Sequence, residues 1–317
     1  MPAPYRGRVA SADKLLLLDT PSLYFRAFYG IPESVTAPDG TPVNAVRGLL
    51  DFMARLIRDR KPTRVVAAMD EDWRPAWRVD ALPSYKAHRV SAGGGDQTPD
   101  ALAAQVPVIE EVLDALGICR LGVAGYEADD VIGTLATTAG CAVDVVTGDR
   151  DLFQLVRDDV PVRIVYTAKG VGQATAWDEA AVADKYGIPG RGYGEFAILR
   201  GDPSDGLPGV PGVGDKTAAA LVNRFGTVEA ILAAASAGKD DGFPAGSRGK
   251  VLAAADYLAK APPVVRVVCD IPIEPCADRL RPEPADAERL LALSDRWGLD
   301  SALNRLLTAV AGQTTPE

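Results

Sequence analysis

The chain has a single histidine, His88, among its 317 residues. A serine or cysteine triad would have only this one candidate base, and no G-x-S-x-G elbow accompanies it. Histidine-rich zinc sites are excluded outright. Cysteine is scarce as well: Cys119, Cys141, Cys269 and Cys276 are widely spaced and form no C-x-x-C pair, so they read as reduced or buried thiols rather than zinc ligands. No run of about 18 apolar residues occurs, so no membrane span is expected. Met1 to Ala12 holds no hydrophobic signal core, which predicts a cytoplasmic protein. Positive charge is also in short supply. Net charge is −9 and the pI is near 4.9, which taken alone disfavours nucleic-acid binding. Net charge is silent on distribution, however, and Arg74, Arg78, Lys86, His88 and Arg89 fall close together.

Hydrophobic residues make up 47% of the chain, enough to form one large domain or two modest ones. Short apolar runs at Lys14–Leu18, Arg64–Met69, Cys119–Val123, Ala142–Val146 and Val162–Tyr166 read as strands. Val43–Arg58 and Glu127–Thr138 have helical character, and Asp151–Val156 reads as a short helix. Pro99–Leu116 reads as one helix, capped by Thr98 and closed by Gly117. Strands alternating with helices predict an α/β fold, a mostly parallel twisted sheet flanked by helices. Beyond about residue 188 the pattern becomes helical, with one strand-like run at Val264–Val268 and two amphipathic helices near 284–296 and 300–309. Ser91–Gly95 and Ala235–Gly249 read as loose tracts.

Nine acids fall in five clusters at predicted strand ends or loop starts: Asp19; Asp70; Glu127, Asp129 and Asp130; Asp149 and Asp151; Asp202 and Asp205. Ligands of parallel sheets bind at the carboxyl ends of strands, so three crossovers would deliver acids to one rim. Converging carboxylates resist joint ionisation unless hard divalent cations sit among them, which points to Mg²⁺ or Mn²⁺ and phosphoryl chemistry. Glu127 and Asp130 would share a helix face whose dipole favours anions. Taken singly, each cluster has a plainer reading. The 127–130 group can be a solvated helix start, Asp151 a helix N-cap, and Asp202–Asp205 an Asx turn. Asp149 and Asp151 point to one side if the strand continues through them.

The motifs Gly125-Tyr-Glu-Ala-Asp-Asp130, Thr147-Gly-Asp-Arg-Asp-Leu152 and Gly201–Thr217 occur together. With Leu17-Leu-Asp19, Phe25-Arg26, Met69-Asp70 and Tyr85–Arg89, the chain resembles the 5′-nuclease family over nearly its whole length. That family comprises bacterial 5′→3′ exonucleases, the nuclease domain of DNA polymerase I and flap endonucleases. The resemblance implies a PIN-like core at 1–188 with a helical arch near 74–100, and a helix-hairpin-helix region with a C-terminal extension at 189–317. It implies a first metal among Asp19, Asp70, Glu127, Asp129 and Asp130, and a second among Asp149, Asp151, Asp202 and Asp205. Two such ions would clamp the scissile phosphate, one activating water and the other stabilising the leaving oxygen. Arg78, Lys86 and Arg89 would face that phosphate from the arch, although the spacing from Asp70 leaves open whether Arg74 or Arg78 does so. Phe25 and Arg26 would bind DNA, Phe25 by stacking on a terminal base, or Phe25 would pack in the core. Gly212, Gly214, Lys216 and Thr217 would hold a duplex backbone, and the carbonyls of Val210 and Val213 a K⁺ ion. Gly206 stands where relatives often carry Asn. The expected partner is DNA with a 5′ end, flap or single-stranded overhang, bound by a free-standing monomer. A catalytically weak binder of branched DNA and a related ribonuclease are the alternatives. An aspartyl phosphatase would want D-x-D at the first strand, but Thr20 and Pro21 follow Asp19.

Overall fold

The structure, a computed structural model, describes residues 13–91, 95, 97–238 and 242–314. Met1–Ala12 and most of the glycine tract read at 91–95 lie outside the described residues. Strand β1 (Lys14–Asp19) carries four consecutive leucines, all of them buried. Successive strand residues face opposite ways, so both faces of β1 are covered. Leu15 and Leu17 enter one core, Leu16 and Leu18 the other. In β2 (Arg64–Ala68), Val66 and Ala68 join the first core and Val65 and Ala67 the second.

Four more strands complete the sheet: β3 (Cys119–Leu121), β4 (Ala142–Thr147), β5 (Val162–Tyr166) and β6 (Thr175–Trp177). Their order is β3-β2-β1-β4-β5-β6, parallel throughout except for the antiparallel pair β5–β6. The chain moves outward from β1 to β3, then returns to the other side of β1 for β4. This reversal creates a topological switch point between β1 and β4, where parallel sheets open a crevice beyond their carboxyl ends.

The helices of the first half are α1 (Thr20–Gly30), α2 (Asn44–Arg60), α3 (Ala76–Ala81), α4 (Asp100–Ala103), α5 (Val106–Leu116), α6 (Ala128–Thr138) and α7 (Glu179–Tyr186). There follow α8 (Tyr193–Arg200), α9 (Asp215–Phe225), α10 (Val228–Ser236), α11 (Ser247–Ala253), α12 (Ala255–Lys260), α13 (Pro262–Val265), α14 (Ala287–Trp297) and α15 (Asp300–Thr314). Residues of α6 to α13 build the first core, against one sheet face. Helices α1, α2, α4 and α5 build the second. The C-terminal pair α14 and α15 crosses back to this second face, where Leu290, Leu293, Leu303 and Leu306 are buried and Arg305 pairs with Asp51 at 2.7 Å. No single helix among the described residues is long and apolar enough to cross a membrane.

Three sequence expectations are corrected. The helix expected at Pro99–Leu116 is broken into α4 and α5, and Pro99 rather than Thr98 holds the N-cap position of α4. Pro107 has no N–H to continue the ladder. The break also frees Gln105 to turn inward. Its Oε1 accepts the N–H groups of Ala45 and Val46 at 2.8 and 3.3 Å, and its Nε2 donates to Asn44 Oδ1 at 3.0 Å. Helix α2 has no cap from its own Val43, so Gln105 satisfies two of its orphan donors.

The run Val264–Val268 is not a strand. Pro262 starts the single turn of α13, and the chain beyond it bonds to side chains: Val267 N–H to Gln154 Oε1 at 3.0 Å and Val268 N–H to Asp130 Oδ1 at 2.9 Å. Finally, β4 ends at Thr147, and a 3₁₀ turn begins at Asp151. Asp149 and Asp151 therefore do not share one face of an extended strand.

In the helical half, Arg266 bridges Glu195 (2.7 Å) and Glu229 (2.8 Å). The hydrogen bond from Arg266 lowers the Glu229 carboxyl to about 2. A depressed acid contributes stability that is complete above its ordinary value near 4.5 and is lost as pH falls through about 2. The melting temperature of Glu229→Gln should lie below wild type at pH 7, with the gap closing as pH approaches 2; a gap that persists there would show that the ion pair is not its source.

Candidate metal centre

Asp19 ends β1 and caps α1. Its Oδ1 accepts the Ser22 N–H at 3.2 Å, and its Oδ2 the Thr147 hydroxyl at 2.6 Å. Burial, together with the charges of Asp70 and Asp149, pushes its carboxyl up to about 7 against those hydrogen bonds. Asp70 follows β2 and accepts the Ala128 N–H at 2.8 Å, so it reaches the start of α6. Asp149 follows β4 and accepts the Asp151 N–H at 2.8 Å. Asp129 lies in the first turn of α6, where burial and then the charges of Asp19, Asp149 and Glu127 push it well above the carboxylate range.

These acids line a cleft of about 1240 Å³ at the carboxyl edge of the sheet. Asp19, Asp70, Glu127, Asp129, Asp149 and Asp202 line it; Asp130, Asp151 and Asp205 sit behind. Asp130 is fully buried and committed to protein partners. Oδ1 accepts Arg78 at 2.7 Å and the Val268 N–H at 2.9 Å, and Oδ2 accepts the Glu127 N–H at 3.3 Å. Glu127 and Asp130 thus form a capping box at the start of α6 rather than a shared exposed face. Burial drives Asp151 well above its ordinary range, helped by Asp149, Asp205 and Asp202. Its buried Oδ1 has no hydrogen-bond partner among the described residues. Asp205 is pushed up to about 6, burial outweighing Lys86 and Arg89. Asp202 caps its own turn, accepting the Ser204 N–H at 2.9 Å, with Arg200 at 3.5 Å.

The arch cations are folded onto these acids. Arg78, on α3, is only 3% exposed and binds Glu127 at 2.6 Å as well as Asp130; it does not line the cleft. Arg74 is held by the carbonyls of Tyr85 (2.6 Å) and Pro83 (3.1 Å), so neither arginine faces the cleft. Lys86 and Arg89 do line it. Lys86 pairs with Glu127, and Arg89 with Asp205 at 2.9 Å. Burial of Glu127 favours its neutral form, but Lys86, Arg78 and the Tyr85 hydroxyl overcome it and hold the carboxyl below its ordinary value. Gly206, at φ +73°, lets this arch base close on the Asp205 loop. A Cβ there would meet Ser84 O at 2.1 Å, and the Lys86 N–H donates to Asp205 O at 3.0 Å.

Oxygen-only donors and an orphaned buried carboxylate oxygen fit a hard divalent cation. The side chains are not gathered as a cradle, however: among the described residues no three of Asp, Glu, His or Cys form a group tight enough to hold an ion. The acids that face the cleft are spread along its rim, several of them answered by protein cations.

Half-buried Phe25 lines the cleft and stacks with the exposed ring of Tyr29 at 6.5 Å. Arg26 also lines it, donating to Ala168 O at 3.2 Å. Sequence reasoning missed Arg150 and Lys169, two further cations of the cleft. Arg150 sits between two predicted ligands, and Lys169 follows β5 at the same rim, so strand-end position was the available signal. In the hairpin, Gly209 (φ +68°) passes so close to Arg200 O that a Cβ would approach to 2.5 Å, and the Val210 N–H then reaches Leu199 O at 2.9 Å. The side chains of Val210 and Val213 are buried anchors, while Gly212, Gly214 and Lys216 are exposed and Thr217 half-buried at the start of α9.

An acid-lined cleft at the switch point of a parallel sheet, joined to a glycine-turned helical hairpin, defines a nuclease of the metal-dependent acidic class. Residues 14–187 match the family model of the 5′-3′ exonuclease N-terminal resolvase-like domain, and residues 188–288 that of the 5′-3′ exonuclease C-terminal SAM fold. The chain belongs to the 5′-3′ exonuclease family. It is 58% identical over 300 residues to a 5′-3′ exonuclease of Streptomyces coelicolor, covering 93% of this chain and 99% of that one. It is 50% identical over 310 residues to a 5′-3′ exonuclease of Mycobacterium tuberculosis, covering 93% and 97%. Its fold matches the bacteriophage T5 D15 flap endonuclease, solved with DNA and metal ions, with a TM-score of 0.60 at 15% identity, covering 95% and 98%.

Arg78→Met should lower the unfolding free energy by about 3–5 kcal/mol, because Asp130 would be left buried without a cation and Glu127 with Lys86 alone. A denaturant midpoint within error of wild type would show that the pocket is solvated.

Proposed function

We propose that the protein hydrolyses DNA phosphodiesters from 5′ ends and at 5′ flaps, using Mg²⁺ or Mn²⁺ at the rim acids. The observation that carries this reading is the delivery of six acids from five separate segments of the chain to one cleft. Divalent ions there would supply charge to the scissile phosphate and acidify water. Asp19, Asp70, Glu127, Asp129, Asp149 and Asp202 would hold them from the cleft, with Asp151 and Asp205 completing the set from behind. Asp130 contributes by fixing the start of α6. Lys86 and Arg89 exchange their carboxylate partners for the phosphate as substrate enters, which positions it and offsets its charge. Arg78 serves by orienting Glu127. Phe25 and Arg26 line the path of the strand, and Gly212, Gly214, Lys216 and Thr217 hold the duplex backbone at the start of α9. The carbonyls of Val210 and Val213, in the hairpin turned at Gly209 and Gly212, would hold a K⁺ ion. We read the protein as a cytoplasmic monomer, divided near residue 188.

The pairing of arch cations with the acids favours a second reading, a weakly active binder of branched DNA. Internally labelled flap, nicked and blunt duplexes, incubated with Mg²⁺ or Mn²⁺ and scored by product length, separate the two. Asp149→Asn should cut cleavage by more than the ~10–100-fold typical of an outer-shell loss, with DNA affinity largely kept. Full activity in EDTA would exclude the metal mechanism. Lys216→Glu should weaken duplex binding and reduce the salt slope by at least about one unit. An unchanged slope would remove the hairpin from the duplex contact.

A further inference from the structure

Thr147 is the last residue of β4 and is fully buried. It does not line the cleft, yet its hydroxyl lies between two acids that do. Oγ1 stands 2.6 Å from Asp19 Oδ2 and 2.8 Å from the amide nitrogen of Asp149. The amide can only donate, so Oγ1 accepts there. The single hydroxyl proton is then directed to Asp19. A second link runs alongside the first: the Gly148 N–H donates to Ser22 Oγ at 3.0 Å, and the Ser22 N–H donates to Asp19 Oδ1. Each oxygen of Asp19 thereby has one protein donor, and both links tie the end of β1 to the loop that carries Asp149.

The two acids come from adjacent strands, in register at Leu18 and Val146. Their charges repel, and burial strengthens the repulsion. A carboxylate on a free rotor would swing away from its neighbour. Branching at Cβ restricts the Thr147 side chain, so its hydroxyl is a stiff strut between strand end and carboxylate.

We propose that Thr147 is a positioning residue of the metal site: its hydroxyl holds Asp19 beside the Asp149 loop, so that the two carboxylates can close together on a divalent cation. This rests on the metal reading above. Losing an outer-shell partner of this kind costs about 10–100-fold in metal affinity or activity.

Thr147→Ser and Thr147→Ala both remove the methyl and differ only in the hydroxyl, while Thr147→Val keeps the shape and removes the hydroxyl. Mn²⁺ binding to the full chain without DNA, read by electron paramagnetic resonance, is the primary measurement. Circular dichroism establishes that each variant is folded, and the Ser–Ala pair carries the comparison if the Val variant is not. Ser should bind within about threefold of wild type, and Ala and Val about 10–100-fold more weakly. Cleavage by Ala and Val should fall in kcat at fixed Mn²⁺, recover as Mn²⁺ is raised, and show an unchanged KM for DNA. Equal Mn²⁺ affinity in Ala and Ser overturns the proposal, whether both match wild type or both are weak. A wild-type chain that binds no Mn²⁺ overturns the metal reading itself, and this inference with it.

Discussion

Crowded negative charge at one edge of the sheet is the constraint to which the rest of the molecule answers. The switch between β1 and β4 places Asp19 and Asp149 on neighbouring strand ends, and β2 adds Asp70. Burial raises the pKa of Asp19, Asp129, Asp151 and Asp205, and the charges of neighbouring acids raise it further. The start of α6 helps, since its dipole favours anions. The protein's own cations do more: Arg78, Lys86 and Arg89 each bind an acid of this region.

Segments distant in sequence serve the same end. The chain after α13 would be an unremarkable connector by composition, yet the Val268 N–H holds Asp130 and the Val267 N–H holds Gln154. The loop before the hairpin docks on the arch through Gly206, so the helical half closes one wall of the cleft. Meanwhile α14 and α15 return to the opposite face of the sheet, so the two halves of the chain interlock around it.

Much of this was legible in the chain. Runs such as Lys14–Leu18 and Ala142–Val146 announced strands buried on both faces, and the acids that follow them could be placed at the carboxyl edge with no further information. What could not be read was which way a side chain turns once there. Asp130 and Asp129 are adjacent in sequence, but one is absorbed by a capping box and Arg78 while the other meets the cleft. Arg78 looked like a cation for a phosphate; its buried partners lie about fifty residues on, and local pattern carries no trace of them. The break between α4 and α5 had a local sign in Pro107, but the purpose of Gln105 depends on a helix sixty residues earlier. The valines of 264–268 have strand character, yet Pro262 and the side chains of Gln154 and Asp130 decide their conformation.

The reach of Gln105 also bears on the order of assembly. Helix α2 has no N-terminal cap of its own, and the atom that completes it belongs to a residue made much later. A nascent chain leaving the ribosome would carry α2 with frayed leading amides until that glutamine emerged, and any fragment ending before it would keep them so.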